Sequence, residues 1–527
     1  MTIRPILLGT ILVVCSFSAR AQYGYFNDIL NYSRTQSIGT ARTQAIGNAQ
    51  VALGGDMNSA YANPAGLGFN RSSVVTFTPS LNFYNSDSEY FGQNTKDSKA
   101  NFNIANLGVI FDFAKSDYED SKFKGGSFAI TMTRENNFHS DITYDGYNST
   151  DYENGISRSS IVDYWLDNVY DYSVDPPIPY SLDQLTDFEY YGLFESYLIN
   201  PIYATDGNGN DFLVDYEKFI GDFPRQVEET TNKGGQYRWD FAAGANYNDI
   251  LYFGASFNLN TINYQTTSTL YETEFLFNNQ PDDAINEVST RNTLDVRGTG
   301  VGGTFGIIAR PLDLLRVGIS ATTPKYYWMR EESSRDVFVS YNNFEFVDGD
   351  GSSIILEDYY YEEFSESNYN VTTPFKLTTG AAFFLGKLGF ISADVDFINY
   401  SKAKLKSSDF DASGDNQSIQ SLYQNAINWR IGSEFRVSSF RVRGGYSYEG
   451  DPYKNSGIDN SISKISGGIG YRNREFFVDI SAVHTKWNSV RSPYTIYSYN
   501  DPSENISPVA YTENKNLNVS VTFGVNF

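Results

Sequence analysis

A chain of 527 residues with a formal net charge of -24 and only 39 Lys and Arg has no basic surplus, which excludes nucleic acid as its default partner. Its single cysteine, Cys15, excludes a disulfide framework and a thiolate metal site. Mean hydropathy is -0.40, and after residue 21 no apolar run approaches the ~20 residues of a spanning helix, yet 41 Tyr and 39 Phe bring the aromatic share to 16%. A polar average with an aromatic excess suits a transmembrane β-barrel, in which every second residue faces lipid and aromatics ring both interfaces.

In chain order, residues 1–21 read as a signal peptide. Arg4 supplies the positive end, "PILLGTILVVCSFS" the apolar run and Ala19-Arg20-Ala21 the cleavage site, so the mature chain is expected to start at Gln22. Residues 22–71 contain "GNAQVALGGDMNSAYANPAGLG", Gly47 to Gly68, with too little apolar bulk for a core strand and too many glycines for a stable helix. Asn63-Pro64 is a turn signal, and Pro64 cannot donate to a ladder. Ahead of a wide barrel such a segment reads as a plug folded inside the lumen, and otherwise as a linker.

From residue 72 to 527 period-two alternation recurs. About fourteen strands are expected, near 73–85, 100–114, 125–141, 234–247, 250–272, 290–310, 314–330, 373–384, 387–401, 424–437, 439–449, 462–472, 476–490 and 515–527. The last is the clearest: Leu517, Val519, Val521, Phe523, Val525 and the terminal Phe527 alternate with Asn518, Ser520, Thr522, Gly524 and Asn526. Connections sort by parity. Tight turns such as Asn248-Asp249 and Gly386-Lys387 follow even strands, while long connections follow odd ones, including 86–99 and the two largest, 142–233 and 331–372. Short turns on one side and long loops on the other are the barrel rule, with both chain ends expected on the short-turn side. The fold class is therefore all-β: a transmembrane antiparallel β-barrel with an N-terminal hatch in its lumen.

The segment "GTARTQAIGNAQVALGGDMNSAYANPAGLG" resembles the N-terminus of the FadL/TodX outer-membrane transport family, through Gly47, Ala52, Asp56, Ala60, Asn63, Pro64, Ala65 and Gly66. The resemblance implies an N-terminal hatch carrying Asn63-Pro64-Ala65, a fourteen-stranded barrel and uptake of long-chain fatty acids or hydrocarbons. Some members carry a hemin-receptor label. It also implies a hydrophobic ligand and outer-membrane lipid around the barrel, while the terminal Phe527 closing an alternating strand is a habit of outer-membrane barrels, whose assembly machinery reads the last strand.

Arg430, Arg436, Arg441 and Arg443 fall on one face of neighbouring strands, with Glu434 on that face and Asp394 and Asp396 on the strand before. They are candidates for pairing a ligand carboxylate, weighed against a salt-bridge network that holds the lumen or hatch, which is the weightier reading. "DGNGNDFLVDYE", Asp206 to Glu217, matches calcium-loop positions 1, 3, 5 and 12, but Asp211 stands where the loop needs Gly, so an acidic turn is favoured. "DGDG" at Asp348 to Gly351 reads the same way. His139 and His484, the only histidines, are weak candidates for hemin ligation. No catalytic motif, metal site or cofactor is expected. Passive uptake of a hydrophobic molecule is the first functional reading. The alternative is a structural barrel whose acidic outer loops bind a protein partner.

Overall fold

A computed structural model describes residues 25–527 apart from 37–38, 116–120, 150–157, 172–173, 175–176, 186–187, 278–279, 282–283, 348–350, 455–456 and 497–504. The signal peptide and most of the "DGDG" tetrapeptide lie outside the described residues.

Eighteen strand segments form one antiparallel sheet that closes on itself. Four pairs of segments are collinear, so the wall consists of fourteen strands. They are β1 (Val74–Tyr90), β2 (Gln93–Asp112), β3 (Phe123–Asn137, continued by Ser140–Tyr147), β4 (Arg225–Tyr247), β5 (Leu251–Thr273), β6 (Ile285–Leu312) and β7 (Leu315–Thr322, continued by Tyr326–Tyr341). Then follow β8 (Tyr359–Thr372, continued by Lys376–Phe384), β9 (Gly389–Asn399, continued by Lys404–Ser407), β10 (Asn425–Val437), β11 (Phe440–Glu449), β12 (Ile462–Arg472), β13 (Phe476–Arg491) and β14 (Ala510–Asn526). Each pairs with its chain neighbours, and β14 closes on β1 through Val75↔Val525 to Glu89↔Tyr511.

The wall is apolar outside and polar inside. On β1, Val75, Phe77, Leu81 and Phe83 are exposed, whereas Thr76, Thr78, Ser80 and Asn82 are buried. A soluble sandwich would reverse this pattern. Here lipid contacts the exposed face, which makes the sheet a membrane-spanning barrel. No helix among the described residues is long and apolar enough to cross a membrane.

The parity of connections holds with one correction. The expected loop at 86–99 is absent, because β1 and β2 run on to a two-residue hairpin at Phe91 and Gly92, both at positive φ. That geometry matches the twist of the strands it joins. Strand also replaces the edges of the two largest loops, leaving connections at 148–224 and 342–358. The first builds a cap from α4 (Ile161–Asp167), α5 (Phe188–Glu195) and the hairpin Ile199–Thr205/Asp211–Lys218. Its Trp165, Leu198 and Ile199 are fully buried and pack against inward-facing Leu270, Val288, Val337 and Val339, so the cap sits in the barrel's upper mouth.

At the lower end the Phe527 amide donates to the Ser73 carbonyl at 3.0 Å, and the Phe527 ring is exposed on the lipid face. Replacing Phe527 with Asp puts a charge at the lower interface of the closing strand. The variant is expected to show reduced membrane levels and to lose heat-modifiable mobility on gels; unchanged levels and mobility would remove this residue's role in assembly.

Candidate functional site in the barrel lumen

The N-terminal segment runs down the inside of the wall. Tyr25 stacks on Phe410 in the upper connection after β9, with ring centroids 4.4 Å apart, so here the chain is at the opposite end from Phe527. The expectation that both ends lie on the turn side therefore fails at Tyr25. From there α1 (Phe26–Ser33) inserts Ile29, Leu30 and Tyr32 among Ile262, Val296, Tyr327, Met329, Tyr369 and Tyr423. This is an aromatic-walled apolar chamber in the upper lumen, and α1 fills it.

Below it, α2 (Ala41–Ala45) starts at Thr40, whose hydroxyl accepts from the Thr43 amide. Then come α3 (Ser59–Ala62) and a 3-10 turn, Pro64–Phe69. Asp56 accepts from the Thr40 hydroxyl at 3.1 Å and the Asn58 amide at 2.9 Å, fixing the fold of the segment on itself. Asn63 is 2% exposed: its Nδ2 donates to the Val51 carbonyl at 2.8 Å, and its Oδ1 accepts from the Ala65 amide at 3.2 Å. The side chain thus serves backbone groups that no ladder can reach. Pro64 and Ala65 lie flat against the wall. A Cβ at Gly254 would stand 2.1 Å from the Pro64 carbonyl carbon, and one at Gly306 1.8 Å from Asn63 Oδ1, so the wall must be glycine here. Gly47 takes φ +63° against the Tyr446 backbone, and Gly66 packs on Ser59 and Gly54.

Glu434 gathers three cations. Arg42 Nε lies 3.3 Å from it, Arg436 Nε 2.9 Å and Arg443 Nε 2.8 Å. Arg443 also reaches Asp479 at 2.6 Å, and Arg42 reaches Asp56 at 3.4 Å. Burial opposes the Arg42 cation, but Glu434 and Asp56 more than offset that and hold its pKa above the usual range. Asp394 accepts from the Gln50 and Val51 amides at 2.7 and 3.0 Å. These groups bind the N-terminal segment to the wall. Arg441 is apart from them, donating to the Ser438 and Phe440 carbonyls of its own turn. Arg430 is also apart, paired with Asp396. The four candidate arginines therefore do not form one carboxylate site: Arg436 and Arg443 hold Glu434, the wall carboxylate that Arg42 of the segment grips, one caps a turn, and one lines a small cavity.

That cavity, ≈ 100 Å³, lies between the end of α1, the stretch Gly47 to Val51, the end of α3 and the wall. Arg238, Lys325, Arg430 and Lys464 line it, each paired, with Asp240, Glu135, Asp396 and Glu449 respectively. Lys376 lines it with no ion pair among the described residues, its Nζ 5.9 Å from the Tyr61 ring centroid. The volume is well under the roughly 300–1,000 Å³ of ligand pockets. Sequence reasoning missed Glu135, Arg238, Asp240 and Lys325. Inward parity of Arg238 and Asp240 in "RWDF" was the available signal.

The remaining candidates stay dispersed. Asp206 spends its Oδ1 on the amides of Asn208 and Asn210, both at 2.8 Å, which holds its carboxyl below the ordinary range at a hairpin tip. Among the described residues no group of three His, Cys, Asp or Glu could hold a metal. His139 sits in the break of β3, its Nδ1 3.0 Å from Asn137 Oδ1, and His484 faces outward on β13.

The class defined so far is a closed fourteen-stranded membrane barrel with its N-terminal segment folded into the lumen. No family model matches the chain, and no curated protein matches it in sequence. Among solved structures the chain is similar to the Pseudomonas putida toluene transporter TodX, at 11% identity and TM-score 0.49, covering 93% of this chain and 99% of that one. It is similar to a Pseudomonas aeruginosa FadL homologue at 10% identity, TM-score 0.49 and the same coverage, and to the CymD monoaromatic hydrocarbon channel at 11% identity and TM-score 0.45, covering 94% and 98%.

Proposed function

We propose that the protein is an outer-membrane channel for passive uptake of hydrophobic small molecules, with long-chain fatty acids or related lipids and hydrocarbons as substrates. One observation carries this reading: α1 occupies a chamber walled by Tyr327, Tyr369, Tyr423 and aliphatic side chains. Apolar walls carrying a few phenol hydroxyls suit an apolar ligand with a small polar end. In this reading α1 stands where the ligand binds, and Gln22 to Arg71 is the hatch. The Asn63-Pro64-Ala65 anchor and the Glu434 cluster hold its lower part, so α1 is the part that yields. The protein reaches the membrane with a cleaved signal peptide and is folded by machinery that reads the last strand.

The test uses cells lacking their own fatty-acid channel. They receive the wild type, a variant lacking residues 26–33, or empty vector, and uptake of labelled oleate and labelled toluene is followed. The wild type is expected to exceed vector, and the deletion to match or exceed the wild type, provided heat-modifiable mobility confirms the folded barrel. Equal uptake in all three would end the channel reading.

A further inference from the structure

The wall of β4 to β8 carries a second cavity, an open concavity of ≈ 590 Å³ lined mainly by outward-facing residues, with Thr266, Leu294, Ser333 and Ser365 of the inward register completing it. Its position follows from the register. Lys233, Gln265, Asp295, Glu332 and Glu366 lie side by side in one row across the five strands. The next row upward is Thr231, Thr267, Thr293, Ser334 and Phe364. Counting downward, Trp328 is level with Tyr237 and Thr299, and Tyr326 with Trp239, Leu259 and Val301, where the exposed apolar face begins. The Tyr326 and Trp328 rings meet edge to face at 4.9 Å, an interfacial aromatic pair.

Measured along single strands, Glu332 and Ser334 lie four and six residues above Trp328 on β7, and Lys233 and Thr231 four and six above Tyr237 on β4. At about 3.3 Å per residue and a strand tilt of about 40°, that is roughly 10–15 Å above the interface. A phospholipid headgroup layer is only about 5–8 Å deep. A lipid reaches this height only if its headgroup is a chain of sugars.

The lining suits sugars. The apolar C–H face of a pyranose needs an exposed ring, and Phe364 is 73% exposed. Its hydroxyls need mixed donors and acceptors, which Thr267, Thr293, Ser334 and Gln265 supply. The carboxylates are already oriented: Asp295 accepts from Gln265 at 2.7 Å and pairs with Arg297 at 3.1 Å, while Arg330 bridges Glu332 and Glu366 at 3.0 and 2.9 Å. Lys233 has no ion pair among the described residues and stands at the end of the row opposite Phe364. Four inter-strand spacings of about 4.8 Å separate those ends by about 19 Å, the span of a short oligosaccharide.

We propose that this concavity binds an acidic oligosaccharide headgroup of an outer-leaflet glycolipid, with one sugar on Phe364, hydroxyls on the Thr, Ser and Gln side chains, and a phosphate or carboxylate on Lys233.

Purified full-length protein in detergent is titrated with a phosphorylated short-core lipopolysaccharide, its deacylated oligosaccharide, a dephosphorylated form, and phosphatidylglycerol, with retention read by native mass spectrometry. The glycolipid is expected to bind, and Phe364→Ala with Gln265→Ala to weaken it by about tenfold or more. Lys233→Ala should weaken only the phosphorylated form. Much weaker binding of the deacylated sugar assigns the source to the membrane, and equal binding assigns it to a soluble glycan of the same chemistry. The proposal is overturned if folded wild type and variants hold the glycolipid equally, or if phosphatidylglycerol competes on equal terms.

Discussion

Replacing Glu434 with Gln is expected to open the barrel to small polar solutes without unfolding its wall. Glu434 is 2% exposed and is the shared partner of Arg42, Arg436 and Arg443. Glutamine keeps the volume but removes the charge, leaving buried guanidinium groups short of a counter-charge. Breaking a buried pair in this way costs about 3–5 kcal/mol. The β10–β11 and β9–β10 ladders do not depend on Glu434, so the strain falls on α2, where Arg42 is the charged tie to the wall beside the neutral bonds from the Ala41 amide to Thr522 and from Ser466 to the Ala45 carbonyl. Conductance in planar bilayers should rise from near closed to that of an open lumen. Arg441→Ala serves as the control, since Arg441 hydrogen-bonds the carbonyls of its own turn and makes no ion pair with Glu434 among the described residues. If the Glu434 variant is heat-modifiable and remains as closed as the wild type, the clamp assigned to this cluster is wrong.

The strand count was legible in the sequence because lipid enforces it. Where β5 crosses the membrane, Phe253, Phe257 and Leu259 are exposed and Ser256, Asn258 and Asn260 are buried, so each apolar residue marks one face. The alternation stops where a strand rises above the lipid. In β8, "YYYEEFSESNYN" mixes aromatic and polar residues on both faces, and in β2 "QNTKDSKAN" is polar on both, so strand and loop look alike there. The lost strand ends at 86–99 and 359–372 follow directly from this. The turns were legible for a different reason: Asn248 and Asp249 both take positive φ, the geometry of a tight hairpin between right-twisted strands.

The candidate site was half legible. Asn63-Pro64-Ala65 announced itself as a turn with nowhere to pair, and inward parity placed the arginines. What parity cannot give is height along the barrel. Arg430 and Arg436 share a face of β10, yet one lies at the cavity and the other at the segment's clamp. The glycines opposite the motif, Gly254 and Gly306, were silent for a further reason. A glycine in a strand reports that something approaches closely, but not what approaches.

The docking of α1 is expected to weaken as pH rises from about 5 to 8. Asp28 lies on the first turn of α1, and its pKa is pushed up to about 7, first by burial and then by Glu331 of β7 and Asp415 of α6 (Ser413–Leu422). The other groups that face it are the phenols of Tyr25, Tyr32, Tyr264, Tyr369 and Tyr423, which remain protonated in this range and carry no compensating positive charge. Asp415 is further committed, since its Oδ1 accepts from the Phe26 amide at 3.2 Å. The sign follows from linkage. Docked, Asp28 holds its proton up to about pH 7; released into water, it loses the proton near the ordinary value of about 4. Its contribution to docking is therefore complete below about pH 4 and is lost as pH climbs through about 7. Since Cys15 is the chain's one cysteine and falls in the expected signal peptide, a Leu30→Cys variant reports release of α1 through thiol labelling of a position that is 6% exposed when docked. The ratio of this labelling to that of the same cysteine in an Asp28→Asn background should rise by about tenfold between pH 5.5 and 8, the growth in thiolate fraction being common to both and cancelling. Identical pH profiles in the two backgrounds would mean that Asp28 does not govern how α1 leaves the chamber.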